Sequence, residues 1–161
     1  MKLEIVEKKH GDFLISSDPE RLQIDRIHQY LSKESYWSID IPKSVVIKSI
    51  QHSLCFGIYD MSLPDQPQIG FSRVVTDFST FGWVCDVYIE EPYRGKGLSR
   101  WMMKVLLEHP QLQGLRRICL ATVAAHKLYE KVGFKVMHST GGWMEIKDND
   151  IYKKLKEKKV A

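Results

Sequence analysis

The 161-residue chain has little that would hold a fold together from outside a core. Its three cysteines, Cys55, Cys85 and Cys119, are odd in number and each sits in an apolar run. Free buried thiols in a reducing cytoplasm are therefore expected, not a disulfide framework. No C-x-x-C and no H-E-x-x-H occurs, so neither a structural zinc nor a zincin site is expected, and no metal. No window approaches the ~18 consecutive apolar residues of a membrane span. The first residues carry Lys2, Glu4, Glu7, Lys8 and Lys9 and lack the apolar stretch of a signal peptide, which predicts a cytoplasmic protein. Internal repeats, low-complexity stretches and Gly/Ser linkers are also missing, so residues 1–161 read as a single domain.

What is present is an ordinary globular composition, 43% hydrophobic and 27% charged, with a formal net charge of +4. That balance permits an anionic ligand without requiring one. Most of the excess lies in residues 147–161, which hold six lysines against three acids. Tyr152 is the only aromatic in that segment, so it reads as a solvated helix face and not as a nucleic-acid surface.

Hydrophobic spacing then orders the elements. Residues 13–15 are a strand candidate. Ser17 or Asp18 caps a helix with Pro19 just inside it, running to about Leu31 on Leu22, Ile24 and Ile27. Pro42 opens a shorter helix with Val45, Val46 and Ile50 inward. Segments 54–59, 68–76 and 81–89 form an antiparallel meander, with a hairpin at 77–80. A helix starts near Gly97 and ends at His109-Pro110, followed by a strand at 117–122 and a short helix at 124–132. Gly133 and Phe134 match a Schellman ending. Segments 134–138 and 143–146 are further strand candidates, and 148–159 a terminal helix. The order predicts an α+β, or mixed α/β, domain around one sheet.

The segment carrying most chemistry runs from Val87-Tyr88-Ile89 through Arg94-Gly95-Lys96-Gly97-Leu98-Ser99 to Arg100. A strand enters a glycine-rich turn and the turn enters a helix, which lets successive backbone N–H groups converge on an anion. Gly95 and Gly97 admit close backbone approach, and Arg94, Lys96 and Arg100 add positive charge. A phosphate or pyrophosphate is the ligand this suits. The Walker loop G-x-x-x-x-G-K-[ST] is absent, and Arg100 occupies the third glycine of a dinucleotide fingerprint, so neither common nucleotide motif fits.

Arg94-x-x-Gly97-x-Ser99 resembles the R/Q-x-x-G-x-G/A acyl-coenzyme A signature of the GNAT acetyltransferase superfamily, with Ser99 where Gly or Ala is usual. Downstream, Ala125-His126-Lys127-Leu128-Tyr129-Glu130-Lys131-Val132-Gly133-Phe134 is similar to that family's A-x-x-L-Y-E-K-x-G-F block. Thr122 stands seven residues before Tyr129, where many members carry Asn. Ser35-Tyr36-Trp37, Ser53-Leu54-Cys55-Phe56-Gly57, Val74-Val75-Thr76-Asp77 and Trp143-Met144-Glu145-Ile146 resemble a bacterial subgroup of N-acetyltransferases in the same superfamily.

The resemblance implies a central, mostly antiparallel mixed sheet flanked by helices. It implies transfer of an acetyl group from acetyl-CoA to a primary amine of a small molecule or peptide, by direct attack in a ternary complex. The strand Val87-Tyr88-Ile89 would take the pantetheine arm on its backbone, and an N–H there would polarise the thioester carbonyl. The turn from Arg94 to Ser99 would take the pyrophosphate, with Thr122 and His126 beside the coenzyme. Tyr129 would be the acid toward the departing sulfur, and its plain alternative is a core aromatic. Asp86 would accept the amine's proton, directly or through water, or else make a structural hydrogen bond or salt bridge. His28, Tyr36 and Trp37 lie in the helix pair that covers the acceptor. A non-catalytic acyl-CoA sensor, or an acyltransferase with another donor or acceptor, stays open, as does a homodimer.

Overall fold

The computed structural model describes residues 3–137 and 141–157. Six strands form one sheet in the order β1-β2-β3-β4-β5-β6. They are β1 (Glu7–His10), β2 (Phe13–Ser16), β3 (Leu54–Asp60), β4 (Gln68–Thr76), β5 (Phe81–Ile89) and β6 (Arg117–Cys119). Every neighbouring pair is antiparallel except β5 and β6, which run parallel. The helices are α1 (Ile24–Lys33), α2 (Lys43–Gln51), α3 (Leu98–Leu107), α4 (His126–Glu130) and α5 (Ile151–Glu157). The mixed α/β sheet is the expected one.

Strand β3 is buried along its whole length, and apolar from Leu54 to Tyr59, because both of its faces are covered. Leu54, Phe56 and Ile58 join Met102, Met103 and Leu106 of α3 in one core. Cys55 packs on the other face with Phe71, Tyr88, and Ile27 and Leu31 of α1. The sheet is thus clamped between α1–α2 and α3–α4.

Several boundaries depart from the spacing argument. β1 is unexpected from sequence because all four of its residues are exposed and charged or titratable, as an open sheet edge requires. The first helix is broken in two. Asp18 caps only a 3-10 turn, Pro19–Arg21, with Oδ1 accepting from the Glu20 N–H at 3.0 Å. The chain then extends through Leu22 and Gln23 because Gln23 pairs with β4. Its N–H donates to Gln68 Oε1 at 2.8 Å, and the Gln68 N–H donates to Gln23 Oε1 at 2.9 Å.

The end of α4 is a full Schellman motif. Phe134 N–H donates to Tyr129 O and Gly133 N–H to Glu130 O, each at 3.1 Å, with Gly133 at φ 102°. Beyond it, Phe134 to Met137 and Trp143 to Ile146 are not strands; His138 lies outside the described residues. Their apolar side chains find no partner strand, and Met144 and Ile146 are fully exposed. Likewise β6 stops at Cys119, short of residue 122. The last helix spans Ile151–Glu157 and packs Tyr152 beside α1 and α2; Lys158 and Lys159 lie outside the described residues. Among the described residues no helix is long and apolar enough to cross a membrane.

Candidate active site

The site begins with a bulge in β5. Phe71 pairs with Tyr88 and Arg73 with Cys85, so Ser72 of β4 faces both Asp86 and Val87. Asp86 absorbs the extra residue at φ 54°, a left-handed conformation that Asp tolerates better than most residues. Its carboxylate is held on both sides. Arg73 Nε donates to Oδ2 at 2.5 Å and Trp37 Nε1 to Oδ1 at 3.1 Å. The Asp86 side chain is 9% exposed and that of Arg73 18%. Arg73 also donates to Ser53 Oγ at 3.2 Å.

A second feature opens the sheet. β6 pairs with β5 only at Phe81, Gly82 and Trp83. Past that point the strands part, and a cleft of about 350 Å³ lies between them. Trp83, Cys85, Asp86 and Val87 form one wall, Leu120 to Thr122 and Tyr129 the other, and Tyr36 and Trp37 reach in from the α1–α2 connection. Tyr129 is buried at 8% exposure, with Phe134 edge-on at 5.9 Å between ring centroids. Burial, and then the neighbouring Tyr36, holds its hydroxyl proton on beyond the ordinary tyrosine range. No hydrogen-bond partner meets that hydroxyl among the described residues. Tyr129 and Thr122 also border a second cavity, which His126 lines with Phe134. Thr122 Oγ1 accepts from the Ala125 N–H at 3.0 Å, so it starts the turn into α4.

The glycine-rich turn closes the far end. Asp86 and Ile89 are three residues apart, roughly 10 Å along the strand, and beyond them lies a pocket of about 210 Å³. Ile89, Gly95, Gly97, Ser99 and Arg100 line it. Gly95 and Gly97 adopt φ 79° and 78°, and the N-terminus of α3 has no side-chain cap. The first helical N–H groups are therefore turned to solvent at an electropositive end. Two of the three cations have other work. Arg94 Nε donates to Ile89 O at 3.0 Å and its Nη2 to the Tyr30 hydroxyl at 3.1 Å, bracing the strand end against α1. Lys96 lies over the rings of Tyr93 and Phe13, at 5.2 and 5.7 Å. Leu98 is core.

The structure therefore brings Asp86, Val87, Tyr129, Thr122, Tyr36 and Trp37 to one cleft, and the turn residues to a second pocket on the same strand. Tyr88 contributes only backbone; its ring stacks on Tyr30 at 3.7 Å on the opposite face. His28 does not line the cleft: its Nε2 meets the Ile41 carbonyl at 3.1 Å, a contact that ties α1 to the start of α2. Arg73, Trp83 and Cys85 were not foreseen. A lone arginine inside a buried strand is the signal that points to a buried acid partner. Among the described residues no group of three or more His, Cys, Asp and Glu side chains is placed to hold a metal.

The profile of the acetyltransferase (GNAT) domain matches residues 52–136. A Gibberella zeae protein assigned as an acetyltransferase is 35% identical over 139 residues, 75% of this chain and 77% of its own. The crystal structure of a Xanthomonas campestris pv. campestris protein assigned to the gnat family superposes with a TM-score of 0.81 at 39% identity, over 89% of this chain and 97% of that one. A Clostridium acetobutylicum protein solved with acetyl-CoA shares the fold, with a TM-score of 0.59 at 18% identity over 84% and 94% of the two chains.

Proposed function

The chain belongs to the GNAT acetyltransferase family, and from that premise we propose that it is an acetyl-CoA-dependent N-acetyltransferase acting on a primary amine of a small molecule or peptide. One observation carries the reading. A single strand, β5, leads from a glycine turn suited to an anion to a cleft holding a buried tyrosine and a carboxylate. The fit to acetyl-CoA is specific in three respects. The turn has glycines where the backbone needs positive φ, α3 has no side-chain cap, and among the described residues the β5 edge beyond Trp83 has no strand partner.

Bound acetyl-CoA supplies an acetyl thioester. The residues supply the rest. N–H groups of the turn and of α3 hold the pyrophosphate. The free edge of β5 would align the pantetheine arm, and a backbone N–H released from the ladder by the bulge at Asp86 would polarise the thioester carbonyl. Asp86 takes the proton of the attacking amine, directly or through water; its two oxygens each have one partner and retain acceptor capacity. Tyr129 keeps its proton at neutral pH and gives it to the departing sulfur.

Cys85 lines the cleft, but burial pushes its thiol up to about 12, which leaves almost no thiolate to form an acyl-enzyme. That supports direct attack in a ternary complex over an acyl-enzyme on Cys85. The free state of all three cysteines supports a cytoplasmic setting. The test is calorimetric and kinetic. Acetyl-CoA raises the melting temperature, and initial rates with an amine panel give intersecting double-reciprocal lines as coenzyme thiol is released. No thermal shift at saturating acetyl-CoA refutes the proposal.

A further inference from the structure

We infer that the acceptor is a singly charged amine carried on an aromatic or apolar group. The inference rests on the acetyl-transfer reading and narrows it to a substrate class.

Aromatic surface is the first observation. Tyr36 and Trp37, 68% and 41% exposed, meet edge-on at 5.0 Å and both reach the cleft. Trp83 faces the same space from β5. The indole N–H of Trp37 is fastened to Asp86, which fixes the ring beside the carboxylate that would receive the amine's proton. Two exposed rings set edge to face at the mouth of a cleft offer recognition surface to an aromatic or apolar group.

Charge is the second observation. Among the described residues Asp86 is the only charged one lining the cleft, and it is paired with Arg73. A polyamine would bring a second ammonium into a space with no second carboxylate. An amino acid or sugar phosphate would bring an anion, and the nearest cation, Arg73, is buried and engaged. Either would lose hydration without a partner. Acids do gather elsewhere: Glu34, Glu90 and Glu91 line a separate cavity against α1, where Glu90 is paired with Arg26 at 2.8 Å. They are absent from the cleft. The third observation is size. At about 350 Å³ the cleft is near the lower limit of ligand pockets, so an acceptor of about one ring system fits beside the acyl group.

The experiment uses the full chain, acetyl-CoA, and 2-phenylethylamine, spermidine or aspartate as acceptor, with coenzyme thiol release as the signal. The kcat/KM for 2-phenylethylamine is expected to exceed the other two by about 10-fold or more. Trp37→Ala raises KM for 2-phenylethylamine by about 10-fold, and Trp37→Phe, which keeps a ring but no N–H, restores most of it. Thermal unfolding of both variants checks that they fold, and Trp83→Leu is the second probe of the aromatic wall. An equal or higher kcat/KM for spermidine or aspartate, or an unchanged KM in Trp37→Ala, overturns the inference and leaves the acetyl-transfer reading standing. Silence across a broad amine panel, despite acetyl-CoA binding, overturns both.

Discussion

Replacing Arg73 by Met tests whether Asp86 is held by charge. Met keeps most of the apolar stem and removes the guanidinium. Asp86 would then retain one donor, the Trp37 indole, at 9% side-chain exposure. Breaking one partner of a buried pair costs about 3–5 kcal/mol, because the other charge is left without compensation. For a domain of this size that is a fall in melting temperature of roughly 6–20 °C. Asp86→Asn strands Arg73 instead, while Asn still accepts from Trp37 and tolerates the left-handed φ of 54°. The double variant has no unpaired charge and should lose only about 1–2 kcal/mol. Urea unfolding of the four proteins at pH 7.5 gives the cycle, with an expected coupling of about 4 kcal/mol or more, the excess of the two single losses over the double. Additive single losses would refute the argument, and would mean the pair is solvated despite its burial.

Three further outcomes follow from the same geometry. Gly97→Ala forces a side chain into φ 78°, costing about 1–2 kcal/mol, and should abolish the thermal shift with acetyl-CoA. An undiminished shift would remove the turn from coenzyme binding. Tyr129→Phe should lower kcat by about 100-fold or more with coenzyme affinity unchanged, because the hydroxyl has no partner among the described residues; unaltered turnover would exclude it as the acid. Finally, burial pushes the Cys55 thiol up to about 12 from an ordinary 9.0. The unfolded chain then releases that proton before the folded one does. The contribution is whole below pH 9 and declines as pH rises toward 12, by up to about 1.4 kcal/mol per pH unit. Urea midpoints of wild type and Cys55→Ala between pH 8 and 11 check the sign; parallel profiles would contradict it.

The glycine turn and the block around Tyr129 were legible in sequence because their geometry is local. Positive φ at Gly95, Gly97 and Gly133 is written in residue type, and so is the Schellman pairing behind Tyr129. The partner of Asp86 was not legible. Arg73 meets it only through a cross-strand register that a one-residue bulge has shifted, and no spacing along the chain encodes that. The broken first helix has the same origin, since Gln23 is diverted by Gln68, 45 residues away. β1 was hidden for the opposite reason: an edge strand protected by charge has no hydrophobic alternation to read. Arg94 sits in the motif, yet its side chain serves Ile89 and Tyr30, which residue type alone does not disclose.

The three-residue junction between β5 and β6 sets how the chain opens. The segment from Arg117 through α4, with its tyrosine, hangs on the meander by one short ladder and by packing on α3. A segment tied on so sparsely should open as its own cooperative unit, exchanging its amide hydrogens at a lower free energy than the meander does. A ligand lying along the free edge of β5 while touching Leu120 to Thr122 would complete the missing rungs and join the two units. Its binding free energy would then appear as slowed exchange in residues 117–130, rising with ligand concentration as RT ln(1 + [L]/Kd), with the amides of β3 and β4 unmoved.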